Sequence, residues 1–181
     1  MFTLPCIGMF YHDVATLLKN AKYVAVIYVK INPEFNIYLD KDENVVALEC
    51  LNADAKDAYG KKSFAGKSLD ETLQTVVSIA AEEGYMKEDQ TVALTITECT
   101  TDLNATVLQT KMDSVVTEAA KEQDITVTTA MDMSEEVRTA QKEAGLIKQA
   151  CSNCNGTGDC PDCPVCGGSF KCVVCGGSGT L

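Results

Sequence analysis

The chain is poor in several residue types, and each shortage excludes a class of function. Its 181 residues include no tryptophan and one histidine, His12, and 15 Lys and Arg face 26 Asp and Glu. Nucleic-acid binding needs clustered basic side chains that displace phosphate counterions, so it is disfavoured. His12 has no visible partner, and the sequence contains no phosphate loop, nucleophile elbow or catalytic carboxylate pair. We therefore expect no enzyme that turns over many substrates.

Long hydrophobic runs are missing as well. The longest uninterrupted apolar run is Tyr23 to Val29, far shorter than the roughly 20 residues of a membrane-spanning helix. The apolar start of the chain lacks a basic segment and contains Pro5, which makes a poor signal peptide. Free thiols in large number favour a reducing compartment. These features predict a cytoplasmic chain without a membrane span; the alternative, if the gene starts upstream, is the extracytoplasmic face of a membrane.

Cysteine, in contrast, is abundant and concentrated at the C-terminus. The chain has 10 cysteines, and the following lie in residues 151–181: Cys151, Cys154, Cys160, Cys163, Cys166, Cys172 and Cys175. Two outer Cys-x-x-Cys pairs, each followed by Gly-x-Gly, flank a central triple that consists of Cys160, Cys163 and Cys166. Glycine permits the positive φ that a tight turn around a metal requires, and two such pairs together form a four-thiolate zinc site.

The spacing assigns the two groups of cysteines different roles. We predict that one Zn²⁺ is bound by Cys151, Cys154, Cys172 and Cys175. The central triple, one ligand short, would be an incomplete second site formed by Cys160, Cys163 and Cys166. A disulfide knot and reactive dithiols remain alternatives, although an odd number of cysteines suits neither. A thiol redox enzyme ranks last, because no thioredoxin-like βαβ unit precedes the cysteines.

Two repeats in this tail resemble the cysteine-rich zinc-binding region of DnaJ-type chaperones, Cys-x-x-Cys-x-Gly-x-Gly. The matching segments run from Cys151 to Gly158 and from Cys172 to Gly179. The resemblance covers only the tail, and the middle repeats of the chaperone region are reduced to the central triple. No J domain accompanies it, since Asp13 follows His12 without the proline of the J-domain tripeptide.

Upstream of the tail, the hydrophobic pattern predicts one α+β domain. Buried or alternating strands are expected at residues 22–31, 34–40, 45–51, 91–98 and 125–129. Phe35, Ile37 and Leu39 should share one face of their strand. Asn52 and Asp54 are read as caps of a short helix starting near Ala53 rather than as catalytic residues.

Three longer helices are expected to follow. Ser68 and Glu71 form a capping box ahead of the first, which Gly84 ends. The second runs from 103 to 121, and its inner stripe should consist of Val107, Leu108, Met112, Val115, Val116 and Ala119. Ser134 caps the third, which ends at Gly145. This order predicts a mainly antiparallel sheet with the helices packed on one face, giving an N-terminal segment 1–21, a domain 22–146 and the tail 147–181.

Three segments of this domain together resemble the middle domain of RsgI-type anti-sigma factors. They are Tyr23 to Ile37, Leu51 to Ala55, and Ser68 to Tyr85. The resemblance implies a domain of a signalling protein, which in that family usually lies just outside a membrane helix while a cytoplasmic N-terminal segment holds the sigma factor. It also implies that the domain cuts its own chain at an Asn-Pro bond, here Asn32-Pro33. In that family an acidic residue tends to stand two positions before the asparagine and a small hydroxyl residue after the proline; this chain has Lys30 and Glu34 there.

The sequence supports two functions of different kinds. The preferred one is a signalling and protein-interaction module that is cleaved at most once, at Asn32-Pro33, and whose zinc tail makes protein contacts. The alternative is a chaperone-associated or scaffold protein that acts through the tail. An Asn-Pro pair also commonly ends a strand without any chemistry. Cys6, Cys50 and Cys99 have no regular spacing and are read as ordinary apolar or surface residues.

Overall fold

A computed structural model describes Leu18 and residues 22–147, which form a five-stranded sheet and four helices. The elements, in chain order, are β1 Ala25–Lys30, β2 Glu34–Leu39, β3 Val45–Cys50, α1 Ala53–Tyr59, α2 Leu69–Glu82, β4 Gln90–Cys99, α3 Ala105–Glu122, β5 Val127–Met133 and α4 Glu135–Glu143. The predicted α+β class and the predicted order of elements are confirmed.

The sheet is mixed, with the strand order β3-β2-β1-β4-β5. Strand β1 lies at its centre and pairs antiparallel with both β2 and β4, and β2 pairs antiparallel with β3. The edge strand β5 runs parallel to β4, which α3 makes possible by crossing between them. This one parallel pairing refines the predicted sheet.

A single hydrophobic core lies between one face of the sheet and the helices. Phe35, Ile37 and Leu39 are fully buried on that face, as their alternation predicted. Side chains from all four helices belong to the same core as these strand residues. The opposite face carries polar and aromatic side chains such as Tyr28 and Tyr38, which are only half-buried. The helices therefore shield one face of the central strand.

Local signals in the sequence account for most of the helix ends. Asn52, Ser68 and Ser134 each accept a hydrogen bond from a first-turn backbone N–H, as N-caps do. Gly84 has φ 76° just past α2, a conformation that glycine adopts without a steric cost. A capping box also requires the Glu71 carboxylate to accept a hydrogen bond from the backbone N–H of Ser68. That part of the prediction is wrong, because the Glu71 carboxylate contacts the Lys67 ammonium instead.

Two further details of the prediction were wrong. Val107 was placed on the inner stripe of α3, but it is 59% exposed, while its neighbours Leu108 and Met112 are buried. Strand β5 was expected to end at residue 129 and extends to Met133. Its last residues, Ala130-Met-Asp-Met133, have weak strand propensity, and their extended conformation is supported by pairing with β4.

A buried glutamine joins the end of β4 to the start of α3. The Gln141 side chain in α4 is fully buried and accepts a hydrogen bond from the Ala105 N–H at 3.0 Å. Its amide nitrogen donates to the carbonyl oxygens of Thr100 and Leu103 at 3.0 and 2.8 Å. Because a buried amide without partners is costly, these bonds fix how α4 docks on the domain.

Candidate self-cleavage turn

Strands β1 and β2 are joined by a three-residue turn, Ile31-Asn32-Pro33, that contains the predicted cleavage bond. Ile31 is 2% exposed and Pro33 is buried, whereas Asn32 between them is exposed. The turn is closed by a hydrogen bond from the Ile31 N–H to the Pro33 carbonyl oxygen at 2.9 Å. With both neighbours anchored, Asn32 is held at the tip of the hairpin.

Asn32 adopts a backbone conformation that is unusual for a residue with a side chain. Its φ is 75°, in the left-handed region, where asparagine is tolerated better than most residues but where an L-residue is still strained by about 1 kcal/mol. Tight turns and functional sites are where such strain accumulates. The strained residue is therefore the one whose side-chain amide would attack its own carbonyl.

The side chain of Gln90, the first residue of β4, contacts this turn from the neighbouring strand. Its amide nitrogen donates a hydrogen bond to the Ile31 carbonyl oxygen. Its amide oxygen accepts from the Lys87 N–H at 2.9 Å, which orients the whole amide group. Nothing in the sequence pattern pointed to Gln90, because this contact joins residues 59 positions apart.

Asn52 contacts the other side of the turn. Its side-chain oxygen accepts from the Ala55 N–H at 2.9 Å, which confirms the predicted capping of α1. The same oxygen also accepts from the Glu34 N–H at 3.2 Å, directly after Pro33. Asp54, the other predicted cap, lies in the first turn of α1. The second bond of Asn52 is a role that the sequence did not reveal.

Lys30 and Glu34 face each other across the turn. Their side chains form an ion pair at 3.4 Å, and the other carboxylate oxygen of Glu34 accepts from the Tyr28 hydroxyl at 2.9 Å. Burial and this contact with the carboxylate raise the pKa of Tyr28, so it remains a protonated donor. The pair is partly exposed and adds little to stability, but it occupies both positions where the chain departs from the expected family pattern.

Comparison with known proteins identifies the domain. Residues 24–151 match the profile of the anti-sigma factor RsgI-like central domain. The chain belongs to this family. It is also 28% identical over 105 residues to the anti-sigma-I factor RsgI of Bacillus anthracis. That match covers 58% of this chain and 23% of the relative, so the chain corresponds to about a quarter of that protein. The resemblance noted for this part of the sequence is confirmed.

In this RsgI-like domain, the two described cysteines behave as apolar residues, as expected. Cys99 is buried, and desolvation, with a smaller contribution from Asp102, raises the pKa of its thiol to about 11. Cys50 is half-buried, and burial raises its pKa as well. Because the thiolate is the reactive form, neither is a reactive nucleophile at neutral pH.

The predicted zinc ligands lie outside the described residues, as do Cys6 and His12. Among residues 22–147, no cluster of three or more histidine, cysteine or acidic side chains is placed to hold a metal ion. In the same part of the chain, no helix has the length and apolar character needed to cross a bilayer. The zinc site therefore remains a prediction from the sequence.

Proposed function

We propose that this RsgI-like domain is a signalling and protein-interaction module that cleaves its own backbone once, at Asn32-Pro33. The observation that carries the proposal is the conformation of Asn32, held at φ 75° directly before a buried proline. The anti-sigma-I factor that it resembles is named for control of a sigma factor, and a regulatory protein partner is the corresponding expectation here.

The cleavage chemistry needs only the asparagine and the proline. The Asn32 side-chain nitrogen attacks the Asn32 carbonyl carbon, a new C–N bond closes a succinimide, and the bond to the Pro33 nitrogen breaks. The proton released by the side-chain amide ends on that nitrogen, which becomes the new N-terminus. Water later opens the succinimide. Proline favours this direction because, without an N–H, it cannot attack the side chain in the competing deamidation. Holding the reacting groups close replaces much of the entropic barrier.

The fold would keep the two fragments together after cleavage. The N-terminal fragment would end at Asn32 and contain β1, which pairs with β2 on one side and β4 on the other. Ala25, Ile27 and Val29 of this strand are at most 1% exposed. Burial of a side chain such as isoleucine or valine contributes about 1.5–3 kcal/mol. A signal that pulls β1 from the sheet would then separate the fragments without further chemistry.

The mass of the full chain tests self-cleavage directly. We expect freshly purified protein, measured under denaturing and non-reducing conditions, to give two species that divide between Asn32 and Pro33. Their masses should sum to the intact mass, or to that mass plus one water once the succinimide has opened. The same spectrum reports any disulfides as missing hydrogens. A single full-length species would overturn the cleavage proposal.

The C-terminal tail would supply a structural zinc site for protein contacts. Thiolates of Cys151, Cys154, Cys172 and Cys175 would hold the ion, with the central triple as an incomplete site. We expect metal analysis of the purified chain to find zinc, and Cys151→Ser to lower its content. The matched change Cys99→Ser, in the folded domain, should leave it unchanged. Equal zinc content in both variants would contradict this assignment.

The alternative function, a chaperone-associated or scaffold protein, is favoured by the two Cys-x-x-Cys-x-Gly-x-Gly repeats of the tail. In that case residues 151–181 would bind the client and the RsgI-like domain would only carry them. Client binding that survives deletion of these residues would reject the alternative.

A further inference from the structure

We infer that Gln90 and Asn52 are positioning residues that hold the Asn32-Pro33 turn in its reactive conformation. The inference rests on the proposed self-cleavage and names the groups that would promote it. The two side chains come from different parts of the fold, the start of β4 and the cap of α1. They contact the peptide groups immediately before and after the reacting pair.

Gln90 holds the peptide group that precedes Asn32. That group consists of the Ile31 carbonyl and the Asn32 N–H, and its orientation sets φ of Asn32. Gln90 donates to the carbonyl oxygen from a residue that is itself fixed by the Lys87 N–H and by pairing of β4 with β1 and β5. Rotation of this peptide group to an ordinary negative φ would break the bond from Gln90. The contact therefore helps to maintain the strained conformation.

Asn52 holds the peptide group that follows Pro33. The N–H of that group donates to the Asn52 side-chain oxygen at 3.2 Å, and its carbonyl oxygen accepts from the Ile31 N–H at 2.9 Å. A third contact, from the Leu51 N–H to the Glu34 carbonyl oxygen at 2.9 Å, ties the next residue to the same segment. The turn is therefore anchored on both sides, and the bond that would break lies between the anchored groups.

Fixing the peptide groups before Asn32 and after Pro33 affects the cleavage rate, because the attack requires one rotamer of Asn32 and one orientation of its carbonyl. In a flexible peptide these are sampled rarely, and small displacements of reacting atoms can cost about a hundredfold in rate. A residue that only stabilised the domain would alter its unfolding. A positioning residue alters the cleavage rate of the folded chain, and this difference can be measured.

The test for Gln90 uses a substitution that preserves shape. Gln90→Glu keeps an oxygen for the Lys87 N–H but loses the donor to the Ile31 carbonyl. The full chain is isolated in denaturant directly after synthesis and refolded by dilution, and cleavage is followed on denaturing gels. We expect at least about a tenfold slower rate than for the parent at neutral pH.

A measurement at low pH and a matched control variant distinguish a positioning role of Gln90 from a general effect of replacing a glutamine by glutamate. Below about pH 4.3 the introduced carboxyl gains a proton and can donate again, so the rate relative to the parent at the same pH should recover. Gln123→Glu makes the same change at an amide that donates to the Ser78 hydroxyl of α2 at 3.1 Å and not to the turn. It should cleave within about twofold of the parent, because it shares no hydrogen-bond partner with Asn32 or Pro33.

Asn52 is tested in the same assay. Asn52→Ala removes the acceptor for the Glu34 N–H and should slow cleavage by about tenfold, whereas Asn52→Asp keeps that acceptor and should restore the rate. Asn104→Ala is the control, since it removes the cap of α3, where Asn104 accepts from Thr106 and Val107 at 3.0 and 3.1 Å. It should leave cleavage unchanged.

The outcomes distinguish this inference from the proposal it rests on. A parent that refolds and stays intact would overturn both. A parent that is cut, with Gln90→Glu and Asn52→Ala cut at the same rate, would overturn the positioning role alone. A slower rate that acid does not relieve, or that Gln123→Glu shares, would also overturn the role of Gln90.

Discussion

Asn32→Gly is expected to abolish self-cleavage while the domain still folds. Glycine has no side-chain amide to attack the carbonyl, so the reaction loses its nucleophile. It accepts a φ of 75° without strain. Relief of that strain and the greater freedom of the unfolded chain oppose each other, so the free energy of unfolding should change by less than about 1 kcal/mol. Mass spectrometry after refolding should show one full-length chain.

A matched substitution shows whether the lost nucleophile is the cause. Asp124 also has a positive φ, 55°, at the end of α3 and far along the chain from the turn. Asp124→Gly makes the same backbone change elsewhere and should be cleaved like the parent. Cleavage that persists in Asn32→Gly would contradict the succinimide mechanism, because no side-chain nitrogen would remain at that position.

Ile27→Ala, in the central strand β1, is expected to destabilise the domain strongly. Ile27 is fully buried at the centre of the sheet, opposite Ile37 on one side and Ile96 on the other. Truncation of a buried isoleucine loses transfer free energy and leaves a cavity, which costs about 2–5 kcal/mol. Urea unfolding should give this difference in the free energy of unfolding between the Ile27→Ala variant and the chain that keeps Ile27. Both should carry Asn32→Gly, because an uncut chain unfolds in a transition that can be interpreted as two-state.

Two comparisons sharpen this prediction. Val107→Ala, at an apolar residue that is 59% exposed, should change the free energy of unfolding by less than about 0.5 kcal/mol. In the cleavable chain, Ile27→Ala should also let the fragment containing β1 dissociate more readily, seen as loss of co-purification. Equal stabilities for the two alanine variants would contradict the placement of β1 in the core.

Much of this fold could be predicted from local patterns in the sequence. Alternation in β2 and the helical spacing in α2 are properties of a few consecutive residues, and burial followed them. The N-caps could also be predicted locally, because Ser68 and Asn52 accept hydrogen bonds from backbone N–H groups only three residues away. Val107 departed from the pattern because a position at the margin of an apolar stripe is buried only if a neighbouring element covers it.

The candidate turn was only partly visible in the sequence. Asn32-Pro33 could be singled out, since a strand ends there and the chemistry belongs to the two residues themselves. Gln90 could not, because a polar residue at the start of a strand has no periodic signature and its partner is 59 residues away. The ion pair of Lys30 and Glu34 was equally hidden, although both positions had drawn notice as departures from the family pattern.

The amino-acid sequence by itself determined the type and order of the helices and strands, most of the N-caps and the position of the Asn-Pro bond, because each depends on neighbouring residues. Only the tertiary structure decided that β1 is the central strand, that β5 pairs in parallel at the edge, and that the Asn32 turn is held between Gln90 and Asn52. These features depend on which distant segments pack together. That choice is made by the burial of the whole core and not by any single stretch of the chain.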